Sequence, residues 1–185
     1  HDEFSLLTQI KKGEIDLAED IKSEKVKELT ENGNISIGSI RGRDYSYIGW
    51  NYVDPAAKQK EQNRPNKFFS SLKTRKALSL AVNRIEIFQS VIGKYGEIYD
   101  SPISPIFKLY YDSTLSTVDY NPALAKKLLA EDGWKDINGN GILEKNNQEF
   151  SFKIYSNTGN SKREFAATII KNNLREVGID AEIIF

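Results

Sequence analysis

The sequence predicts an α/β fold, a mixed β-sheet with helices packed on it. Two observations carry most of that expectation. Residues 149–156 and 179–185 alternate apolar with polar side chains, and a helix-spaced run at 162–177 lies between them. Strand, helix and strand of these lengths make a βαβ crossover, whose hand is almost always right. Further upstream, residues 35–40 and 45–52 alternate in the same way and are expected to be two more strands of the same domain.

Taken in order, Phe4, Leu7 and Ile10 recur at helical spacing and Gly13 stops the run, so the chain is expected to open with a helix. A short extended piece follows at 14–17. Ser23 is placed to cap a second short helix reaching about Leu29, and Asn32-Gly33 turns the chain into the strand at 35–40. Residues 41–44 form the turn of a hairpin. In its second arm Ile48, Trp50 and Tyr52 share one face, while Tyr45, Tyr47, Gly49 and Asn51 share the other. Residues 54–67 are polar with two prolines and read as a long loop. Ser70 or Ser71 then caps a helix whose stripe of Ala77, Ala81, Ile85, Phe88 and Ile92 runs unbroken to Gly93, with Lys73, Arg75, Lys76 and Arg84 around it on a solvated face. The irregular aromatic stretch 95–111 is expected to cover part of the fold. Asn121 with Pro122 starts another helix, in which Leu124, Leu128 and Ala125, Leu129 repeat at i, i+4 on one face, and Gly133 supplies the left-handed C-cap.

Composition narrows the function. The 185 residues are 39% hydrophobic and 28% charged, ordinary for a globular chain. Its 26 basic residues balance 26 acidic ones, so no net positive field is available to hold nucleic acid. No apolar run approaches the ~20 residues that span a bilayer, and no signal peptide is legible. Methionine is absent, so a chain opening at His1 is expected to be a processed product or a segment of a longer protein. With no cysteine and one histidine, disulfides, thiolate chemistry and most triads and metal-hydrolase sites are excluded, and no carboxylate pair stands out. An enzyme is not expected.

Three stretches are candidates for binding. Tyr47, Gly49 and Asn51 put an aromatic wall beside bare backbone, which suits a ligand lying along the strand; a sheet face packed beneath a loop, with Gly49 at a bulge, has the same pattern. The 157–162 loop ends the first strand of the crossover, where ligands collect in open α/β sheets. There Asn157, Lys162 and Arg163 at a helix N-terminus can hold a carboxylate, or can be a capped helix with two solvated cations. Finally, Asp136, Asn138, Asn140 and Gly141 follow the first, third, fifth and sixth positions of a calcium loop. Its twelfth position is Asn147, and Glu144 at the ninth is the only other acid. A hairpin turn is therefore expected, with at most a weak calcium site at Asp136, Asn138, Asn140 and Glu144, and no other cofactor.

Three motifs in order carry a resemblance: 72-LKTRKALSLAVNR-84, then Tyr120-Asn121-Pro122 with 125-AKKLL-129 and 133-GWKD-136, then Asn160, Arg163, Leu174 and Val177-Gly178-Ile179. Together with 13-GEID-16 and 47-YIGWN-51, this pattern resembles the family 5 extracellular solute-binding proteins, the oligopeptide, dipeptide and nickel receptors of ABC importers. The resemblance implies the C-terminal lobe of a periplasmic-binding-protein-like type II fold, with residues 1–20 as a flank joining the other lobe and 21–185 as the ligand-binding lobe. It implies a monomeric receptor that closes two lobes on an extracellular solute, most often an oligopeptide, and delivers it to ABC permease subunits. It also implies an extracellular or periplasmic location with membrane attachment, as a lipoprotein, through an N-terminus outside this chain. Carried over by position, Tyr47, Gly49 and Asn51 match the strand lying against the ligand, and the 157–162 loop matches one that approaches its carboxyl end. Two positions depart from the family pattern: Asn83 stands for an aspartate before the arginine, and Gly139-Asn140-Gly141 for glycine-aspartate-glycine. The other function left open is an extracellular calcium-dependent interaction module built on the 136–144 loop.

Overall fold

A computed structural model describes residues 3–60, 62–116 and 119–185; His1 lies outside them. Seven α-helices are laid down among the described residues. They are α1 (Glu3–Lys12), α2 (Ser23–Thr30), α3 (Pro55–Lys58), α4 (Leu72–Ala81), α5 (Arg84–Ile87), α6 (Pro122–Glu131) and α7 (Ser161–Glu176). The strands are β1 (Glu144–Lys145), β2 (Gln148–Glu149), β3 (Ser151–Tyr155) and β4 (Asp180–Ile184). The last third follows the sequence pattern closely. β3 and β4 pair in parallel from Ser151 opposite Asp180 to Tyr155 opposite Ile184, with α7 as the connection packed on β4.

The strong capping signals are realised. The Asn121 side chain accepts from the Leu124 amide at 2.9 Å to start α6, and the Gly133 amide closes its end on Ala130 O. At Gly178, after α7, φ is +83°, and a Cβ there would lie 2.8 Å from Leu143 Cγ. Only glycine turns that corner without displacing Leu143.

α4 and α6 pack together, and between them and the βαβ unit lies one core containing Ala77, Leu78, Ala125, Leu129, Leu174 and Ile179. Its aromatic centre is Phe150, fully buried, with Trp134 stacked on it at 4.2 Å and Phe68 at 5.3 Å. A polar knot closes one side. Ser71 and Thr74 at the start of α4 each donate to the Asp132 carboxylate, at 2.8 and 2.7 Å, Lys145 reaches it at 3.1 Å, and the Trp134 indole donates to Thr74 Oγ1 at 3.2 Å. Burial by itself would raise the Asp132 carboxyl, but the hydrogen bonds from Thr74, Ser71 and Lys145 outweigh it and hold the group below the usual aspartate range.

Four expectations are corrected. Residues 35–40 and 45–52 form no strand: β1 with β2 and β3 with β4 make two separate two-stranded sheets, and the 45–52 stretch ends in a single bridge between Val53 and Pro65. Alternation keeps a chain extended, but a ladder needs a neighbouring edge, and residues 38–49 are all exposed. The helix from Ser71 is broken after Ala81. Val82 is extended, the Asn83 amide donates to Asn173 Oδ1 of α7 at 2.9 Å, and the Asn83 side chain caps α5 by accepting from Glu86 N; a π turn over Phe88–Ile92 follows. A second-helix cap at Ser23 is not found, since Lys22 holds that position, with no capping hydrogen bond from its side chain, and Ser23 is the first helical residue. The 54–67 stretch is less loose than expected: Asp54 caps α3, binds Arg64 at 2.6 Å, and its amide donates to Arg64 O. No helix among the described residues is long and apolar enough to cross a membrane.

Candidate functional site

The extended 45–52 stretch is pinned from below and open above. The Trp50 ring is half-buried against Phe69 at 5.6 Å and edge-on to Phe152 of β3 at 6.2 Å. This places the stretch over β3, and leaves its alternate residues facing outward. Tyr47 is 78% exposed, and the bare backbone of Gly49 lies under the Tyr47 ring: a Cβ at Gly49 would sit 3.5 Å from Tyr47 Cε2. Asn51 turns its side-chain oxygen back to the Val53 amide at 3.3 Å and is also exposed. The aromatic wall is therefore open to solvent, and no loop of the described residues packs over Tyr47. On the other face only Trp50 is half-buried; Ile48, 39% exposed, and Tyr52, 64% exposed, also face solvent.

The second candidate group continues the same strand. After β3, Asn160 caps α7 by accepting from the Arg163 amide at 3.1 Å, and the Arg163 guanidinium donates to Asn157 Oδ1 at 2.8 Å. The Gly159 amide donates to Glu164 at 3.0 Å. Lys162 lines a shallow depression with Lys22, Gly159, Asn160, Ser161 and Glu164. Asn157 and Arg163 are thus joined directly and Lys162 stands beside them. Both groups lean on β3, one through Trp50 and Phe152, the other as the continuation of the strand. Among the described residues no hydrogen bond, ion pair or ring contact joins Tyr47, Gly49 or Asn51 to the 157–163 group.

One neighbour of the wall, Tyr99, escaped the sequence reading. Tyr45 lies 5.8 Å from Tyr47 and meets Tyr99 edge-on at 6.5 Å, bringing the 95–111 segment up to the wall. Burial pushes the Tyr99 phenol above the ordinary tyrosine value, more than the Ser104 hydroxyl pulls it back. Arg84, read as part of a solvated run, binds Asp100 at 2.6 Å and the Tyr99 carbonyl at 2.8 Å. Of the rest of that run, Arg75 donates to the carbonyls of Phe69 and Ser70, and Lys73 pairs with Glu131 at 3.4 Å. A run of cations does not announce which of its members will find a carbonyl or carboxylate across the fold.

The 136–144 loop is closed by its own hydrogen bonds. Asp136 accepts from the Gly139 and Gly141 amides at 2.8 and 3.0 Å, Asn138 from the Asn140 amide at 2.9 Å and Asn140 from the Ile142 amide at 2.7 Å. The side-chain Nδ2 groups of Asn138 and Asn140 donate in turn to Glu144 and Glu149. A bridge between Lys135 and Glu144 completes the turn, and a hairpin of β1 and β2 follows. That hairpin turns on Asn146 and Asn147, both with positive φ, a two-asparagine signal that could have been read from the sequence. Among the described residues no three His, Cys, Asp or Glu side chains are grouped to hold a metal. Calcium must compete with these bonds at a site of two carboxylates, so below about 0.1 mM it is expected to leave the melting temperature unchanged. Calorimetry showing micromolar calcium binding would reverse this expectation.

All of residues 1–185 match the family described as bacterial extracellular solute-binding proteins, family 5 Middle. The oligopeptide-binding protein AppA of Bacillus subtilis is 32% identical over 182 residues, which are 98% of this chain and 31% of that protein. The structure of AppA in complex with a nonapeptide superposes with a TM-score of 0.77 at 33% identity, covering 99% of this chain and 34% of that one. NikZ of Campylobacter jejuni, in complex with Ni(L-His), gives 0.58 at 26% identity over 64% of this chain and 24% of that one. The chain thus spans about a third of the length of AppA.

Proposed function

The chain belongs to the bacterial extracellular solute-binding proteins of family 5, and from that premise we propose that it is one wall of a receptor cleft that captures an oligopeptide for an ABC importer. Proteins of this family bind solutes and are not enzymes. The observation that carries the peptide reading is the likeness to a nonapeptide-binding protein over 99% of this chain at 33% identity. In this reading residues 21–185 are the lobe and residues 1–20 its flank, tied to it by the Lys11–Glu28 ion pair between α1 and α2. The complete receptor is a monomer, periplasmic or extracellular, anchored as a lipoprotein through a segment outside this chain, and it hands its solute to permease subunits.

Tyr47 supplies apolar contact, Gly49 lets the backbone of an extended peptide come close, and Asn51 offers an amide beside it. Lys162 and Arg163, at the first turn of α7, attract the anionic end. The Arg163 guanidinium is tied to Asn157 within the loop, while Lys162, half-buried, lines the depression beside it. The calcium-module alternative has less support, because the oxygens it needs already accept from their own loop.

The test is peptide titration of the full-length protein. Tyr47→Ala and Lys162→Ala are each expected to weaken binding about 5- to 30-fold, the range of about 1–2 kcal/mol for a partly exposed aromatic or charge-assisted contact. Unchanged affinity in both variants would refute the wall assignment. Tight binding of a nickel-histidine complex with none of peptides would refute the peptide reading. The isolated 185-residue chain is expected to bind peptide poorly, because one wall alone must offset the ligand's loss of freedom.

A further inference from the structure

We infer that Arg84 is a positioning residue for the solute-facing tyrosines: it fixes Tyr99, whose ring braces Tyr45 and, through it, Tyr47. The inference rests on the solute-receptor reading for its consequence in binding, but its geometry stands apart from any ligand. The brace begins in the core. Asn173 of α7, 8% exposed, accepts from the Asn83 amide, and Asn83 caps α5, so the backbone that carries Arg84 is held from two sides.

From there the guanidinium crosses to the irregular 95–111 segment. One nitrogen binds Asp100 Oδ1 at 2.6 Å and another donates to the Tyr99 carbonyl at 2.8 Å. These two bonds hold adjacent residues, one by its carbonyl and one by its side-chain carboxylate, which a single point charge cannot do equally well. Just beyond, the Ser101 hydroxyl accepts from the Ile103 amide at 3.0 Å and stiffens the same turn. Tyr99 is thereby presented edge-on to Tyr45 at 6.5 Å, and Tyr45 lies 5.8 Å from the exposed ring of Tyr47.

A second link joins the same two segments, Arg41 to Glu97 at 3.0 Å, but with the arginine side chain 66% exposed it is screened and contributes little. The 41–47 stretch has no strand partner among the described residues. Its outward rings therefore owe their position to Trp50 at one end and to the Tyr99 contact at the other. Loss of the Arg84 clasp frees the second end.

The experiment uses the full-length protein labelled with 3-fluorotyrosine. Resonances are assigned by single Tyr→Phe replacements, and peptide affinity is measured alongside. Arg84→Ala and the milder Arg84→Lys are expected to move the fluorine resonances of Tyr45 and Tyr47 while leaving Tyr155, on β3, in place. Tyr99→Ala should move the same two, and Tyr99→Phe, which keeps the ring, should not. Peptide affinity is expected to fall about fivefold in Arg84→Ala and in Tyr99→Ala, and about fivefold rather than about 25-fold in the double variant, since both act through one contact.

Unmoved Tyr45 and Tyr47 resonances in a folded Arg84→Ala or Arg84→Lys protein would overturn the inference, as would additive losses in the double variant. If the wild-type protein binds no peptide, the solute-receptor reading fails, and the fluorine resonances alone decide the role of Arg84.

Discussion

Trp134→Ala is expected to destabilise the fold by about 3–5 kcal/mol, the usual cost of removing a buried tryptophan. The side chain is 3% exposed, stacked on Phe150 at 4.2 Å and set against Phe68 at 6.2 Å, so its removal opens a cavity bounded by rings that cannot collapse into it. Its indole also donates to Thr74 Oγ1, a hydroxyl on a fully buried residue. Against a total stability of about 5–15 kcal/mol, a loss of this size should lower the melting temperature by roughly 10 °C or more. Trp134→Phe keeps the stacking and loses the hydrogen bond, and should cost about 1–2 kcal/mol. Differential scanning calorimetry of both variants checks this; a Trp134→Ala protein melting within two or three degrees of wild type would show that the aromatic centre carries less of the stability than its burial implies.

Asp132→Ala is the second large effect, expected to cost about 2–4 kcal/mol at neutral pH. The carboxylate accepts from Ser71 and Thr74 at the start of α4 and from Lys145 on β1, and it stands at the end of α6. Removing it leaves the Thr74 hydroxyl without its acceptor inside the protein, while Lys145, a third exposed, can turn to water. The sign of the pH dependence follows from the depressed carboxyl. Its folded pKa lies below the unfolded value, so its contribution is fully present above an unfolded pKa of about 3.9 and disappears as pH falls through the folded one. Urea unfolding of wild type and Asp132→Asn should therefore show a gap at pH 7 that narrows as the solution is acidified below about pH 4. A gap that widened on acidification would mean that the carboxyl is raised in the folded protein, and that burial outweighs its three donors.

Both side chains belong to the stretch 119–150 in which the sequence was most explicit. Asn121, Pro122 and Gly133 delimit α6 because caps act on neighbours within four residues, and such signals need no knowledge of the rest of the fold. The βαβ unit was legible for a similar reason: three consecutive periodicities and one glycine stop left few other arrangements. Trp134 was visible as a large apolar residue after a C-cap, but nothing local said that it would stack on Phe150, sixteen positions on. Asp132 carried no signal at all, being one more acid at a helix end.

The candidate wall divides along the same line. Tyr47, Gly49 and Asn51 could be picked out because alternation sorts residues onto two faces; in the structure all three are exposed, but so are Ile48 and Tyr52 of the opposite face, and Trp50 alone is half-buried. That the stretch would not be a strand was not legible, because extension is a property of the chain and pairing a property of its surroundings. Trp50 on Phe152 and Tyr99 on Tyr45 likewise join residues about a hundred and about fifty positions apart, and no periodicity reaches that far.

By itself, the sequence determined the α/β class, the helix ends at Asn121, Gly133 and Gly178, the βαβ crossover, the absence of cysteine chemistry, and the motifs that match family 5. Tertiary structure alone decided the break of the long helix at Val82, the loss of the 35–52 hairpin, the knot around Asp132 and the reach of Arg84 to Tyr99. The first set depends on interactions within a turn or two of the chain, where spacing fixes geometry. The second depends on which donors and acceptors meet across the fold, and Asn173 taking the Asn83 amide, 90 residues away, is a bond that only the assembled core can form.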